Sequence, residues 1–453
     1  MKVLLLGDDG RAHALAWKLF NSPLVDELIC APGNGGTAPL APAAALELAD
    51  AATIARWAFD EGIDIIVPAG SRALHAGLVD EVVALHIGVC GPSQRSAALE
   101  RSRCQAKEFM LRANLPTAPG RAFTDLATAE KYLATQPLPI MIKADHPEAG
   151  EASFDDRYAA LEGLRDLFNA RTLEGNNDGV VIERYLSGAR VVFSAFTDGR
   201  AAVPLLPVRL YDRVEQGDTG APARGVGAHT SDSTFARRLA EHLHQKFIMP
   251  IVAALAHAGL PFWGILGIDC IITERGPWLV GLRSSMREGE AQVVLPRLDD
   301  DLMPWIQAMI AQRLHELPAP TWSPVASVGI GLMARGYPHH FPTGGVIRGV
   351  EDLDEGVLAF HSATENPAGL RYTPRISGAP SPGRLSGRGS SLPIFGSGAA
   401  GAGATYTTGG LVMTVVAQSA TLAGSRGRAL INAERVMFEG RTFRSDIAAK
   451  EFG

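Results

Sequence analysis

The loop GDDGRAHAL (Gly7–Leu15) joins an apolar strand signal to a helical one. A turn of this kind can hold a phosphate, because free backbone N–H groups and the positive end of the helix converge there. Asp8 and Asp9 stand against that use, since carboxylates repel a phosphate dianion; capping the helix is their other role. KADHPEAGE (Lys143–Glu151) follows a second strand, and Lys143 at its end suits a nucleotide phosphate as well as open solvent. VIERYL (Val181–Leu186) sets a carboxylate and an aromatic, Glu183 and Tyr185, at a strand end, as an adenine-binding hinge would. Gln216–His229 is glycine-rich without a helix or strand signal, which predicts a loop closing over a ligand. In REGEAQVVLPRLDDDL (Arg287–Leu302), Glu288 and Glu290 precede an apolar helix start, either as dipole partners or as site acids. Asp299–Asp301 reads as a helix cap.

These residues must be positioned by a chain of 453 residues, too long for one core and suited to about three domains. The formal net charge of −6 gives no electrostatic footprint for nucleic acid or an anionic membrane. Cys30, Cys90, Cys104 and Cys270 are far apart, as expected of reduced thiols in the cytoplasm. The apolar run Val3–Leu6 is too short for a signal peptide or a membrane span. The expectation is a soluble cytoplasmic protein acting on small molecules, with no protein partner indicated.

Strand signals at Val3–Leu6, Leu28–Cys30, Ile63–Val67 and Ile87–Cys90 alternate with helical stretches, which predicts a doubly wound parallel α/β domain over residues 1–102. An α+β region follows over 103–325. It has strands at Ile140–Lys143, Val180–Glu183, Val192–Thr197, Ile265–Thr273 and Trp278–Leu282, one helix over Ser233–His257, and a closing helix over Asp301–Leu314. After the Pro-rich Pro318–Pro324, a β-rich domain is expected over 326–453. Within it, residues 378–410 are dominated by Gly, Ser, Ala and Pro and read as a flexible insertion.

Taken in order, these segments resemble one family over nearly the whole chain. The opening GDDGRAHALAWKLFNSPLVDELICAPGNGGTA, then Gly91–Ser93, Pro116–Ala118, Lys143–Asp145, Val181–Glu183, GDTG (Gly217–Gly220), QVVLPRL (Gln292–Leu298), RGYP (Arg335–Pro338) and FEGRTFRSDI (Phe438–Ile447) are similar to the glycinamide ribonucleotide synthetase family of the ATP-grasp superfamily. The resemblance implies a central ATP-grasp domain with a lid near residues 123–190. It implies ATP-dependent joining of glycine to 5-phosphoribosylamine through an acyl phosphate, in de novo purine biosynthesis. It places nucleotide contacts at Lys107, Lys143, Glu183 and Tyr185. Substrate contacts fall at Gly7, Gly10, Arg11, His13, Gly33, Asn34, Asp218, Thr219 and Gly220.

The departures from the family pattern concern charge. Family members carry a Glu and an Asn as Mg²⁺ ligands where this chain has Gly281 and Arg283, and a guanidinium cannot ligate a metal. Glu151 replaces a phosphate-contacting lysine, Ala69, Gly70 and Ser71 replace GPE, Ala12 replaces a Glu, and Ala221–Gly227 replaces PNTGGMG. Asp269 with Glu290 would supply a rearranged metal site; Asp269 paired to a nearby arginine is the other reading. ATP and Mg²⁺ are the cofactors implied for an active enzyme, and none for an inactive one. Three readings therefore stand: the family ligase, a non-catalytic binding or scaffold relative, and a ligase for a different carboxylate or amine.

Overall fold

The computed structural model describes residues 1–172, 175–372 and 403–451. Strand β1 (Lys2–Gly7) pairs in parallel with β2 (Glu27–Pro32) and β3 (Ile65–Pro68), and β4 (Gly88–Val89) adds to β3, giving the order β2-β1-β3-β4. Successive side chains of a strand face opposite ways. Val3 and Leu5 therefore join helix α1 (Gly10–Phe20) through Leu15 and Leu19, while Leu4 and Leu6 join the helices Ala51–Asp60 and Leu78–Val82. A parallel sheet covered on both faces needs this unbroken apolar run. The N-terminal unit is the expected doubly wound α/β domain.

A second sheet is antiparallel, in the order β5-β10-β6-β7. Its strands are β5 (Gly120–Phe123), β6 (Ile140–Ala144), β7 (Glu151–Phe154) and, after the short pair β8 (Arg171–Thr172) and β9 (Gly175–Asn176), β10 (Val180–Arg184). Helices Leu126–Thr135 and Arg157–Phe168 close its core around Ile140, Ile142, Leu164 and Ile182. This unit falls largely within the span expected for a lid.

The largest sheet holds β11 (Ala189–Asp198), β12 (Ala202–Pro204), β13 (Val208–Glu215), β14 (Thr219–Thr230), β15 (Trp263–Thr273), β16 (Gly276–Arg283), β17 (Ala326–Ala334) and β18 (Leu358–His361). Beyond the pair β19 (Thr364–Glu365) and β20 (Tyr406–Thr407) it takes in β21 (Leu411–Ser419) and β22 (Arg441–Thr442). Its main path is β16-β15-β11-β13-β14-β17-β21-β18. The pairing of β14 with β17 carries one sheet from the central part of the chain into the C-terminal part.

Three expectations change. Gln216–His229 is not a loop: nearly all of it lies in β14, between β13 and β17. A glycine on the facing strand β17 allows its close approach, since a Cβ on Gly331 would sit 2.0 Å from the carbonyl oxygen of Gly225. The helix over Ser233–His257 is broken into Thr234–Leu243, a π-helical turn His244–Ile248, and Met249–His257, where Pro250 lacks the N–H for a regular ladder. Of the insertion expected over 378–410, residues 378–402 lie outside the described residues. Tyr406–Thr407 is ordered as β20 against β19, and a Cβ on Gly410 would strike Tyr337 and Phe341.

Candidate functional site

The first loop is organised by Asp9 in its capping role. Its carboxylate accepts from the backbone N–H groups of Arg11 and Ala12, and Oδ2 accepts from Arg11 Nε at 2.8 Å. The Asp9 charge, expected to repel a phosphate, is offset here by the Arg11 guanidinium. Burial and the neighbouring Asp9 raise the Asp8 carboxyl above its ordinary pKa. Gly7 leaves no room for a side chain: a Cβ there would lie 2.8 Å from that of Ala12 and 2.9 Å from that of Ala69. The Arg11 guanidinium lies over Gly70, where a Cβ would come within 2.8 Å of Nη2, and it donates to Met286 O at 3.2 Å.

Glu288 stands beside this loop. Its Oε1 accepts from Ser362 Oγ and Gln292 Nε2, each at 2.7 Å. Its Oε2 is buried, has no hydrogen-bond partner among the described residues, and lies 3.8 Å from Arg11 Nε. Burial first, then the Asp9 charge, pushes its pKa up to about 7, against the pull of Arg11. Gly10 borders the same group: a Cβ there would lie 2.3 Å from Gln292 Nε2 and 2.4 Å from Glu288 Oε1.

The APGN turn fits against this loop. Gly33, at φ +73°, donates to Gly7 O at 3.1 Å. Asn34 Nδ2 donates to the carbonyls of Asp8, Asp9 and His361, while its Oδ1 accepts from Gly36 N and Thr37 N. His13 is placed differently from its expected substrate role. It is fully buried, sits edge-on to Phe360, and accepts from His361 N at 2.9 Å through Nδ1. Burial and His361 hold its pKa well below the ordinary value, so it is a neutral packing residue.

Lys107, from the helix Arg103–Arg112, meets Lys143 and Glu183 of the second sheet. Glu183 accepts from Lys107 Nζ at 2.7 Å and Lys143 Nζ at 2.8 Å, one lysine on each oxygen. Lys107 is sealed, also donating to Thr117 Oγ1 and Ala118 O. Burial works to raise the Glu183 pKa, but Lys143 and Lys107 hold it below the ordinary value. Tyr185, at the outer end of the same strand, is exposed. Asp218, Thr219 and Gly220 form a hairpin tip instead of joining the first loop. Asp218 accepts from Arg444 Nη1 at 2.7 Å, Thr219 donates to Gln216 O, and Gly220 O accepts from Arg213.

Asp269 and Glu290, the expected metal pair, are bridged by Arg283. Arg283 donates from Nε to Asp269 Oδ1 at 2.8 Å and from Nη1 to Glu290 Oε2 at 3.0 Å. Arg287 reaches both oxygens of Asp269, Arg190 Nη2 lies 3.4 Å from Oδ2, and Glu290 also accepts from Ser194 Oγ and Arg287 N. Burial favours the protonated form of Asp269, yet Arg287, Arg283 and Arg190 hold its pKa well below the ordinary value. Mg²⁺ wants about six oxygen ligands in near-octahedral order. Here all four carboxylate oxygens already accept hydrogen bonds, and a guanidinium lies between the two acids. Mg²⁺ does not fit this donor set. Among the described residues, no group of three or more His, Cys, Asp or Glu could hold a metal ion.

Arg103, Arg190 and Ser362 escaped sequence reading, and Arg287 and Gln292 entered it only within motifs, without a role. Nothing local marks them, because their roles come from partners far along the chain, as between Ser362 and Glu288.

Comparison with known proteins matches this geometry to one family. Models of phosphoribosylglycinamide synthetase cover residues 1–100 (N domain), 101–291 (ATP-grasp A domain) and 327–450 (C domain). A phosphoribosylamine–glycine ligase of Mesorhizobium japonicum is 33% identical, across 99% of this chain and 97% of the relative. That of Phenylobacterium zucineum is 31% identical over the full length of both. Among solved structures, phosphoribosylamine–glycine ligase from Thermotoga maritima matches with a TM-score of 0.77 at 23% identity, covering 99% of this chain and 100% of that one. The biotin carboxylase domain of Hydrogenobacter thermophilus 2-oxoglutarate carboxylase, solved with MgADP, matches at 0.68 and 15% identity, covering 97% and 91%. At such identities these two speak for the fold alone. The full-length relatives and the three family models in sequence go further: this chain belongs to the phosphoribosylglycinamide synthetase family.

Proposed function

We propose that this chain is an ATP-dependent carbon–nitrogen ligase that joins glycine to 5-phosphoribosylamine, a small-molecule enzyme of purine biosynthesis in the cytoplasm. One observation carries the reading: two sets of contacts, one from the Gly7–Leu15 loop to Asp269 and one from Arg103 to Glu183, come close enough that Arg190 and Arg287 of the first act on the charge of Glu151 in the second. Arg11 donates to Met286 O, the segment Arg283–Arg287 reaches Asp269, and Arg103 pairs with Glu151, which lies opposite Lys143 in register. Lys143 then holds Glu183.

In this reading the backbone N–H groups at Gly10 and the Arg11 guanidinium hold the substrate phosphate. Glu288, with a pKa near neutrality and a free oxygen, accepts a hydrogen bond or proton from the substrate amine. Lys143 lies at the nucleotide end. The glycine carboxylate displaces ADP from the γ-phosphorus, and the amine then displaces phosphate from the acyl carbon. Mg²⁺ has no place in these assignments, because Arg283 fills the space between Asp269 and Glu290.

The test supplies ATP, glycine and 5-phosphoribosylamine to the purified chain and measures glycinamide ribonucleotide, ADP and phosphate. Equal yields of the three support the ligase. A folded protein that binds ATP and yields no product sinks it. That outcome favours the second reading, a relative that binds nucleotide without turnover, for which the Arg283 bridge is the supporting observation.

A further inference from the structure

Four arginines converge next to the nucleotide residues, and their arrangement is built in. Arg283 is 4% exposed, with Nη1 also donating to Ser285 O at 2.7 Å and Nη2 to Ile268 O at 3.3 Å. Opposite it in register on β15 stands Gly267. A Cβ at Gly267 would lie 2.7 Å from the guanidinium carbon of Arg283, so the neighbouring strand carries the vacancy this side chain needs. A seat of this kind marks an accommodated residue and not a decayed position.

Arg283 is the buried spine; the other three arginines are partly exposed. Side-chain exposure is 33% at Arg287, 28% at Arg190 and 22% at Arg103. Arg190 Nε has no hydrogen-bond partner among the described residues. Arg103 pairs with Glu151 at 2.9 Å. Arg103 first, then Lys143, Arg190 and Arg287, hold the Glu151 carboxyl down to about 2 against the cost of desolvation. Arg103, Lys107, Lys143, Arg190, Arg283 and Arg287 face Glu100, Glu151, Glu183, Asp212, Asp269 and Glu290, six cations against six acids, so that removal of one acid leaves a cation free. Glu151, 34% exposed, and Asp212, 35% exposed, are the acids free to swing out, and Glu151 is the one opposite Lys143 in register.

We infer that this arginine face binds the polyphosphate of a nucleoside triphosphate directly, so that guanidiniums take the place of a divalent ion and nucleotide binding needs no metal. The inference rests on the nucleotide reading above. A divalent ion serves such a site by neutralising phosphate charge. Planar guanidinium forks do the same with paired N–H groups matched to phosphate oxygens. The incoming phosphates displace Glu151 and take over its cations.

Titration calorimetry on the full chain tests this with ATP in EDTA and with ATP plus Mg²⁺, and with tripolyphosphate and adenosine as separate arms. ATP and tripolyphosphate are expected to bind in EDTA, with Mg²⁺ leaving ATP affinity unchanged or lower. Arg287→Gln should weaken ATP in EDTA about tenfold. Glu151→Gln should tighten it several-fold, a gain that misfolding cannot produce. Binding of ATP only with Mg²⁺ overturns the inference and spares the ligase. Binding by adenosine with none by tripolyphosphate, or no change in either variant, also overturns it. Absence of ATP binding in every condition overturns both the inference and the ligase.

Discussion

Asn34 donates from its side-chain amide to the main-chain carbonyl of His361 at 2.8 Å, joining a turn near the start of the chain to the end of β18. The same amide holds the carbonyls of Asp8 and Asp9, so the Gly7–Leu15 loop is fixed from the C-terminal part of the molecule. Asn34→Ala leaves these carbonyls and the N–H groups of Gly36 and Thr37 without their partner. The expected loss is about 1–3 kcal/mol, read from the urea midpoint. An unchanged midpoint would mean that water replaces the amide at no cost.

Glu183 is the counter-ion of two lysines. Glu183→Gln leaves Lys107 buried with its charge unbalanced, at an expected cost of about 3–5 kcal/mol. The pH dependence has a definite sign. The folded-state pKa of Glu183 lies below its ordinary value, so its contribution is present above that ordinary value and is lost as pH falls through the folded one. Acid unfolding of the variant should therefore be less steep below about pH 4.5. Parallel acid-unfolding curves would refute this.

Glu288 runs the other way. Its folded pKa, about 7, lies above its ordinary value, so the native state holds the proton more tightly between the two. Stability falls as pH rises through this window and levels off above it. The charges facing it are Asp9 and Arg11, with the Tyr337 hydroxyl near. Glu288→Gln should gain on the order of 2 kcal/mol over the parent at pH 8 and little at pH 5. The check is denaturant unfolding at both pH values, and an equal difference at the two would contradict it.

Gly10→Ala places a methyl group where Gln292, Glu288 and Ser362 already meet. The network must shift, and the Arg11 loop with it. Binding of ribose 5-phosphate, a stable probe of the phosphoribosyl end, should weaken by on the order of tenfold to a hundredfold. Wild-type affinity in the variant would remove this loop from the site.

Gly281→Glu with Arg283→Asn exchanges the guanidinium for oxygen ligands beside Asp269 and Glu290. Space is available, since a Cβ on Gly281 meets Asp269 Oδ2 at an ordinary 3.5 Å. Without metal the double variant should lose about 3–5 kcal/mol, the cost of breaking buried ion pairs. Mg²⁺ should restore part of this by mass action, while leaving the parent's melting temperature unmoved. Thermal melts with and without Mg²⁺ decide the matter, and a parent stabilised equally by Mg²⁺ would defeat the prediction.

Patterns with a short reach were legible in the sequence. Val3–Leu6 announced a doubly covered strand, and Asp301 announced a cap, accepting from Met303 N. β14 was not legible, because its strand character comes from pairing with β13 and β17 rather than from alternation, and its glycines mimic a loop. The gain of positive charge at Arg283 could be read from the family pattern. Its seat at Gly267 and its grip on two acids could not, since these depend on register across β15 and β16. The surroundings of His13, with Phe360 edge-on and His361 N donating to its ring, come from the far end of the chain and have no local signal.

The pairing of β14 with β17 bears on how this chain could be cut or recombined. Gly227 through Thr230 bond to Ser327 through Ile330, so a fragment ending at residue 325 would expose a bare edge in mid-sheet. Such an edge invites association with another copy. Exchanging the C-terminal third between relatives would succeed only where the incoming strand keeps small residues opposite Gly225, because the carbonyl there admits nothing larger than Gly331. The join between the central and C-terminal parts is thus a seam sewn through the sheet, and the two parts would have to be inherited together.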